Sequence, residues 1–161
     1  MKIQLLIDST NLDMTEAQVR AFFLGILCAE KPLPFPNALN EILSETPEAR
    51  AILEEPLKTV WNELSSNVKT ELLNLLPKEK NLSLFLELSK EILDFFLTGM
   101  SLSGTHSEKC ENENFREFIN VLEDLVEDIE DYLADEDADE EDGTDVKEFL
   151  LDVWEEFALT K

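Results

Sequence analysis

Apolar residues recur along this chain at spacings of three and four, and almost nowhere at alternate positions, which predicts helices. The motif Thr15-Glu16-Ala17-Gln18 matches a capping box, in which a hydroxyl and an amide side chain satisfy N–H groups left open at a helix start. Val19, Phe22, Phe23, Ile26 and Leu27 then follow at helical spacing. This helix stops near Glu30, because Pro32, Pro34 and Pro36 remove backbone donors and push the preceding residues toward extended geometry. Only the short run 3–7 departs from the helical pattern, and residues 1–14 read as an N-terminal segment ahead of one domain, 15–161.

Ala38, Leu39, Ile42 and Leu43 predict a short helix, and Thr46-Pro47 reads as a cap with proline at the first helical position. Pro56 then implies a kink or a fresh start before Leu57, Val60, Trp61 and Leu64. Ser65-Ser66-Asn67 is a break, after which Leu72, Leu73, Leu75 and Leu76 form a short apolar helix ended by Pro77. A long helix carries the stripe Phe85, Leu88, Ile92 and Phe95 and finishes within 99–104. Residues 101–114 are small and polar. Phe115, Phe118, Leu122, Leu125, Ile129 and Tyr132 then mark a helix packed along a narrow seam, its other face carboxylate. Residues 135–145 read as an acidic loop, and Val146, Phe149, Leu150, Val153 and Phe157 describe a closing amphipathic helix. The expected fold is all-α, a bundle-like array of about six to eight helices.

Two segments echo each other, Phe22-Phe23-Leu24-Gly25-Ile26-Leu27 and Phe95-Phe96-Leu97-Thr98-Gly99-Met100. Two instances do not make a repeat protein, so the echo is read as a rhyme in packing. A glycine at position 25 costs a helix about 1 kcal/mol relative to alanine. The compensation expected is the close approach of another helix where a Cβ would clash.

Charge changes the picture more than composition does. The net charge is −24, and from Glu108 onward there are 22 acidic and 4 basic residues, so the last third generates most of the negative field. Phosphate contacts need Lys and Arg that this chain lacks, which argues against nucleic acid and for a basic protein partner. No segment approaches the roughly 20 apolar residues of a membrane span, and with only two cysteines a reducing, cytoplasmic setting is expected.

Catalytic chemistry finds little to work with. His106 is the only histidine and stands four residues before Cys110, too few ligands for zinc and no third group to orient a nucleophile. Cys28 lies beside the apolar face of the first helix and reads as a small core residue. Exposed, mutually repelling carboxylates lack the desolvation a general acid needs. Residues 137–148 place oxygen ligands at calcium-loop spacing, but Asp142 stands where the sharp turn requires glycine and Gly143 comes one position late, which leaves weak, nonspecific divalent binding. Neither a cofactor nor a resident metal is expected.

The run Ala17-Gln18-Val19-Arg20-Ala21-Phe22-Phe23-Leu24-Gly25-Ile26-Leu27-Cys28 resembles the first helix of the YecA/YgfB family of small acidic bacterial proteins. Leu72-Leu73-Asn74-Leu75-Leu76-Pro77 is similar to that family's leucine-leucine-proline segment, and Phe96-Leu97-Thr98-Gly99-Met100-Ser101-Leu102-Ser103-Gly104 to its glycine-containing helix end. Leu122-Glu123-Asp124-Leu125, the acidic stretch and the closing helix follow in the family's order. Arg20-Ala21 replaces the family's usual His-Gly pair, and Asp152-Val153-Trp154-Glu155 stands in place of its Glu-Tyr-Val-Arg signature, so no role attached to that histidine or arginine transfers. Longer members carry a cysteine-rich zinc module that these residues do not contain. The resemblance implies a helical fold, homodimers, and a regulatory or adaptor role more readily than catalysis.

The function expected is therefore a non-enzymatic interaction module of the bacterial cytoplasm. It would bind a basic protein through the helix 115–133 and the acidic stretch after it, with Glu123, Glu127, Glu130, Asp131, Asp135, Glu136, Asp137, Asp139, Glu140, Glu141 and Asp142 as contacts. The alternatives are a structural dimer or adaptor that uses an apolar groove, with Trp61, Trp154 and Phe35 as its aromatics, or a metal-dependent enzyme built from distant carboxylates.

Overall fold

A computed structural model describes residues 3–44, 46–104 and 110–161. All regular structure among them is helical, in eight elements: α1 (Ile3–Asp8), α2 (Glu16–Cys28), α3 (Phe35–Leu43), α4 (Pro47–Ser66), α5 (Val68–Leu73), α6 (Leu82–Leu102), α7 (Glu113–Ala134) and α8 (Glu140–Leu159). The fold is thus all-α. None of these helices is long and apolar enough to cross a membrane.

Local chemistry accounts for most boundaries. The capping box forms as expected: the Gln18 N–H donates to Thr15 Oγ1 at 3.2 Å and the Thr15 N–H to Gln18 Oε1 at 3.0 Å. Asn81 and Asn112 cap α6 and α7 by accepting from the Leu84 and Phe115 N–H groups. Past the end of α6, Gly104 takes the left-handed conformation (φ 81°) in which a side chain would be strained. Asn67 separates α4 from α5, as the polar break predicts.

Helices α2 and α6 form the central pair. On one side α4 packs against α2 and gathers α1 and α3; on the other, α7 and α8 lie against α6 and against each other, and α5 bridges to α8. The rhyme between the two Phe-Phe segments proves to be this contact. A Cβ on Gly25 would lie 2.0 Å from the Phe96 carbonyl oxygen, and one on Gly99 would lie 2.2 Å from that of Phe22. The two helices therefore cross with backbone against backbone, each glycine opening the space the other helix fills. Phe22, Phe23, Ile26, Phe96 and Met100 are buried around the crossing.

Several expectations need correction. Residues 3–7 are helical, too short a run for its period to be read, and Ile7 is buried in the core, so part of the segment 1–14 is built into the domain. Of the two alternatives at Pro56 the fresh start is excluded, since α4 is one helix of 20 residues running through it. The carbonyl that Pro56 leaves without its helical donor belongs to Ile52, a residue 44% exposed, so water can take that bond. On α6 the stripe is misplaced: Leu88 is exposed, while Leu86, Leu93 and Phe96 are buried, because α2, α7 and α8 surround the helix on more than one side. On α8, Phe149 is 52% exposed and the buried line is Leu150, Trp154, Phe157 and Ala158. Helix α5 ends at Leu73, and Leu75 and Leu76 are buried from the turn beyond it.

Candidate protein-docking face

Helix α7 is a two-faced element. Ile119, Leu122, Leu125 and Ile129 are buried along one line, with Phe115, Phe118 and Tyr132 half-buried beside them. Glu123, Glu127, Glu130 and Asp131 stand exposed on the opposite side, joined by Asp124 and Asp128. The 3.6-residue period forces this division once the seam is buried, and it holds these like charges in one strip of potential.

The start of α7 is tied to the end of α2. Glu30 accepts the Glu111 N–H through one carboxylate oxygen at 3.0 Å and the Asn112 N–H through the other at 3.1 Å. The Glu111 N–H is the main reason its carboxyl titrates below the ordinary glutamate range. The Arg116 guanidinium reaches back to donate to the Cys110 carbonyl, closing the same turn. Glu30 lies outside any local pattern that leads to α7, so sequence spacing could not reveal it.

The acidic stretch is not one loop. Residues 135–139 connect α7 to α8, and from Glu140 the chain is helical. Asp135 accepts the Asp137 N–H at 2.9 Å, and Asp139 accepts the Glu141 N–H at 3.1 Å as the cap of α8. Glu140, Glu141 and Asp142 fill the first turn of α8, where negative charge complements the helix dipole. The reading of 135–145 as a loop is corrected for that reason, and an Asp cap followed by three acids was the signal that could have shown it. Gly143 is part of the helix and buried; a Cβ there would come within 2.4 Å of the Tyr132 ring, so its smallness lets α7 and α8 close together at this end. Because residues 140–148 are helical, the calcium-loop spacing of 137–148 does not correspond to a loop.

All eleven predicted contact residues are exposed, and they fall on one helical hairpin. They are not equally free. Glu130 is paired with Lys90 of α6 at 3.4 Å, a lysine that also holds Asp94 at 3.1 Å; the hydrogen bond to Asp94 is the main cause of its raised pKa. Asp135 and Asp139 shape the turn. Glu123, Glu127, Asp131, Glu136, Asp137, Glu140, Glu141 and Asp142 present carboxylates to solvent. Elsewhere acids are drawn into structure: Glu16, Glu63 and Glu71, from α2, α4 and α5, converge on Arg20 at 3.5, 3.8 and 3.4 Å.

Other candidate chemistry resolves differently. Burial pushes the Cys28 thiol up to about 12, and burial also raises that of Cys110, so both thiols are held neutral. Position His106 lies outside the described residues. Among the described residues no group of three or more His, Cys, Asp or Glu side chains converges as metal ligands would. Trp154, expected in an exposed groove, is buried and donates its indole N–H to the Leu72 carbonyl at 2.7 Å. Trp61 and Phe35 are half-buried, packed on Phe23 with ring centroids 5.1 and 6.2 Å away. Comparison with known protein families, with curated proteins and with solved structures found no match to this chain.

Proposed function

We propose that this protein is a non-enzymatic interaction module of the bacterial cytoplasm that docks a basic protein against the outer face of α7 and the first turn of α8, acting as a regulator or adaptor. The observation that supports this most directly is the separation of roles within α7. Its apolar seam completes the core while Glu123, Glu127 and Asp131 face solvent with no basic side chain of the described residues within ion-pair distance. Exposed like charges held in one strip repel each other and contribute nothing to folding; their value lies in long-range attraction and orientation of an opposite charge. The same field repels nucleic acid, so occlusion of a partner's own nucleic-acid surface would be a natural consequence of binding.

Membership of the YecA/YgfB family is part of this proposal, carried by the residues quoted above for α2, the Leu-Leu-Pro segment and the glycine-containing end of α6. A structural homodimer or adaptor is the second reading, favoured by a shallow apolar groove of about 330 Å³ that includes Leu75, Leu76, Leu88 and Ile92. Sedimentation equilibrium that returned a stable dimer would support it.

The docking proposal is tested by replacing Asp135, Glu136, Asp137, Asp139, Glu140, Glu141 and Asp142 with Asn or Gln. Helical content measured by circular dichroism should be retained, and capture of basic proteins from a bacterial lysate should weaken. Capture equal to that of the parent chain would remove the reading.

A further inference from the structure

At the open end of the α7–α8 hairpin a cleft of about 670 Å³ lies between the first half of α7 and the last half of α8. Its floor is aromatic and aliphatic: Phe115, Phe118, Val121, Val153 and Phe157, of which all but Phe157 are only half-buried. The rings of the floor are packed on one another. Phe118 and Phe157 are stacked with centroids 3.8 Å apart and planes 6° from parallel, and behind them Trp154 is fixed edge-on to Phe96 at 5.0 Å. Glu117 from α7 and Glu156 from α8 stand exposed on opposite rims.

One further observation shows what this floor accepts. The Lys161 ammonium lies over the Phe157 ring at 4.9 Å from its centroid and over the Phe115 ring at 5.2 Å. The negative faces of those rings attract a cation, and the two rim carboxylates reinforce the preference. The chain's own lysine thus occupies a place shaped for a positive group carried on an aliphatic stem.

We propose that this cleft anchors an amphipathic helix of the basic partner, which seats a bulky apolar side chain on the floor and lays an arginine or lysine one turn away across Phe115 and Phe157, displacing Lys161. The inference rests on the docking function proposed above and gives that function its anchor point. Charge complementarity selects the occupant. A neutral apolar helix would leave Glu117 and Glu156 beside its backbone unmatched, and a purely basic extended segment would leave the aromatic floor wet. A helix that carries both classes of side chain at spacings of three and four satisfies floor and rim together. The pre-stacked rings lower the ordering cost of binding, and a central apolar anchor inside a charged rim is the arrangement in which a few contacts carry most of the affinity.

Two synthetic peptides of equal length and equal arginine content test this, one with leucines along a single helical face and one with each leucine replaced by glutamine. Binding is read by fluorescence anisotropy near physiological salt, with amide NMR shifts to locate the contact. The leucine peptide should bind at least ~10-fold more tightly, with the largest shifts in 115–121 and 153–161. Replacing Val121 and Val153 together with serine should remove that advantage. Lys161→Ala changes only an exposed side chain, keeps the test independent of folding, and should tighten the leucine peptide about threefold. Equal affinity for the two peptides, or an affinity of the leucine peptide that neither change alters, overturns the cleft while leaving the acidic face intact. Failure of both peptides to bind even at low salt overturns the docking function and the cleft together.

Discussion

The two main helix pairs of this protein are built on opposite terms. Where α2 crosses α6, backbone meets backbone through Gly25 and Gly99, and the residues around the contact are apolar and buried. Where α7 lies against α8, aromatic side chains meet at the open end, Gly143 packs against Tyr132 at the other, and the outer surfaces carry a concentration of carboxylate. The first pair has no room for change at its crossing. The second carries its charge on positions that packing does not use. The proposed docking charge thus sits on positions that the core does not use, and substitutions can separate it from stability.

The largest effect is expected at the crossing. In an ordinary helix, Gly→Ala stabilises by about 1 kcal/mol. Gly25→Ala and Gly99→Ala should instead destabilise by about 3 kcal/mol or more, because the new methyl group would meet a main-chain carbonyl that no rotamer can move aside. Urea denaturation measures it. A gain in stability would show that the helices cross with more space than described.

Alkaline pH should weaken the same pair. The Cys28 thiol is raised from 9.0 to about 12 by burial, so the folded state favours its neutral form. Its contribution is full below pH 9.0 and is lost as pH rises toward 12. A Cys28→Ala variant should lack that decline, so the difference between the two urea midpoints should shift over this window. Parallel curves for the two proteins would contradict the assignment.

A smaller effect tests how α8 is held. Trp154→Phe keeps most of the apolar bulk but deletes the indole N–H bond to the Leu72 carbonyl, which keeps its bond from the Leu75 N–H at 3.2 Å. A loss of about 1 kcal/mol is expected in the same denaturation experiment. The smallest change in stability belongs to the acidic face. Changing Glu123, Glu127 and Asp131 to Gln or Asn should leave the urea midpoint unchanged or raise it slightly at low salt, as like-charge repulsion is relieved.

How far the sequence foretold this can be seen from particular residues. The capping box at Thr15 and the break at Asn67 were readable because each is a local event, decided within four residues. The role of Gly25 was readable because a glycine in an otherwise strong helix demands an explanation; that Gly99 forms the second half of the contact was not, because it depends on which helix crosses there. Leu88 and Phe149 were misassigned because periodicity reports that a helix has an apolar face and not how wide a face its neighbours will cover. Trp154 was misplaced for a related reason, since its polar edge is satisfied by a carbonyl 82 residues away in sequence. For the candidate site, exposure of the acids was legible from composition. The pairing of Glu130 with Lys90, the bonds from the Glu111 and Asn112 N–H groups to Glu30 and the aromatic cleft beside α7 were not, because each joins segments distant in the chain.

The account turns on whether the exposed carboxylates of α7 and α8 are used for attraction. Its most direct test is the retention of basic lysate proteins on the immobilised chain as sodium chloride is raised, compared with retention on the variant in which the seven acids between 135 and 142 are amides. Release of a discrete basic protein from the parent chain as the Debye length falls from about 10 Å toward 3 Å, between roughly 0.1 and 1 M salt, with weaker retention by the variant at the low-salt end, is the predicted result. Retention that is indifferent to salt and equal on both chains would contradict it.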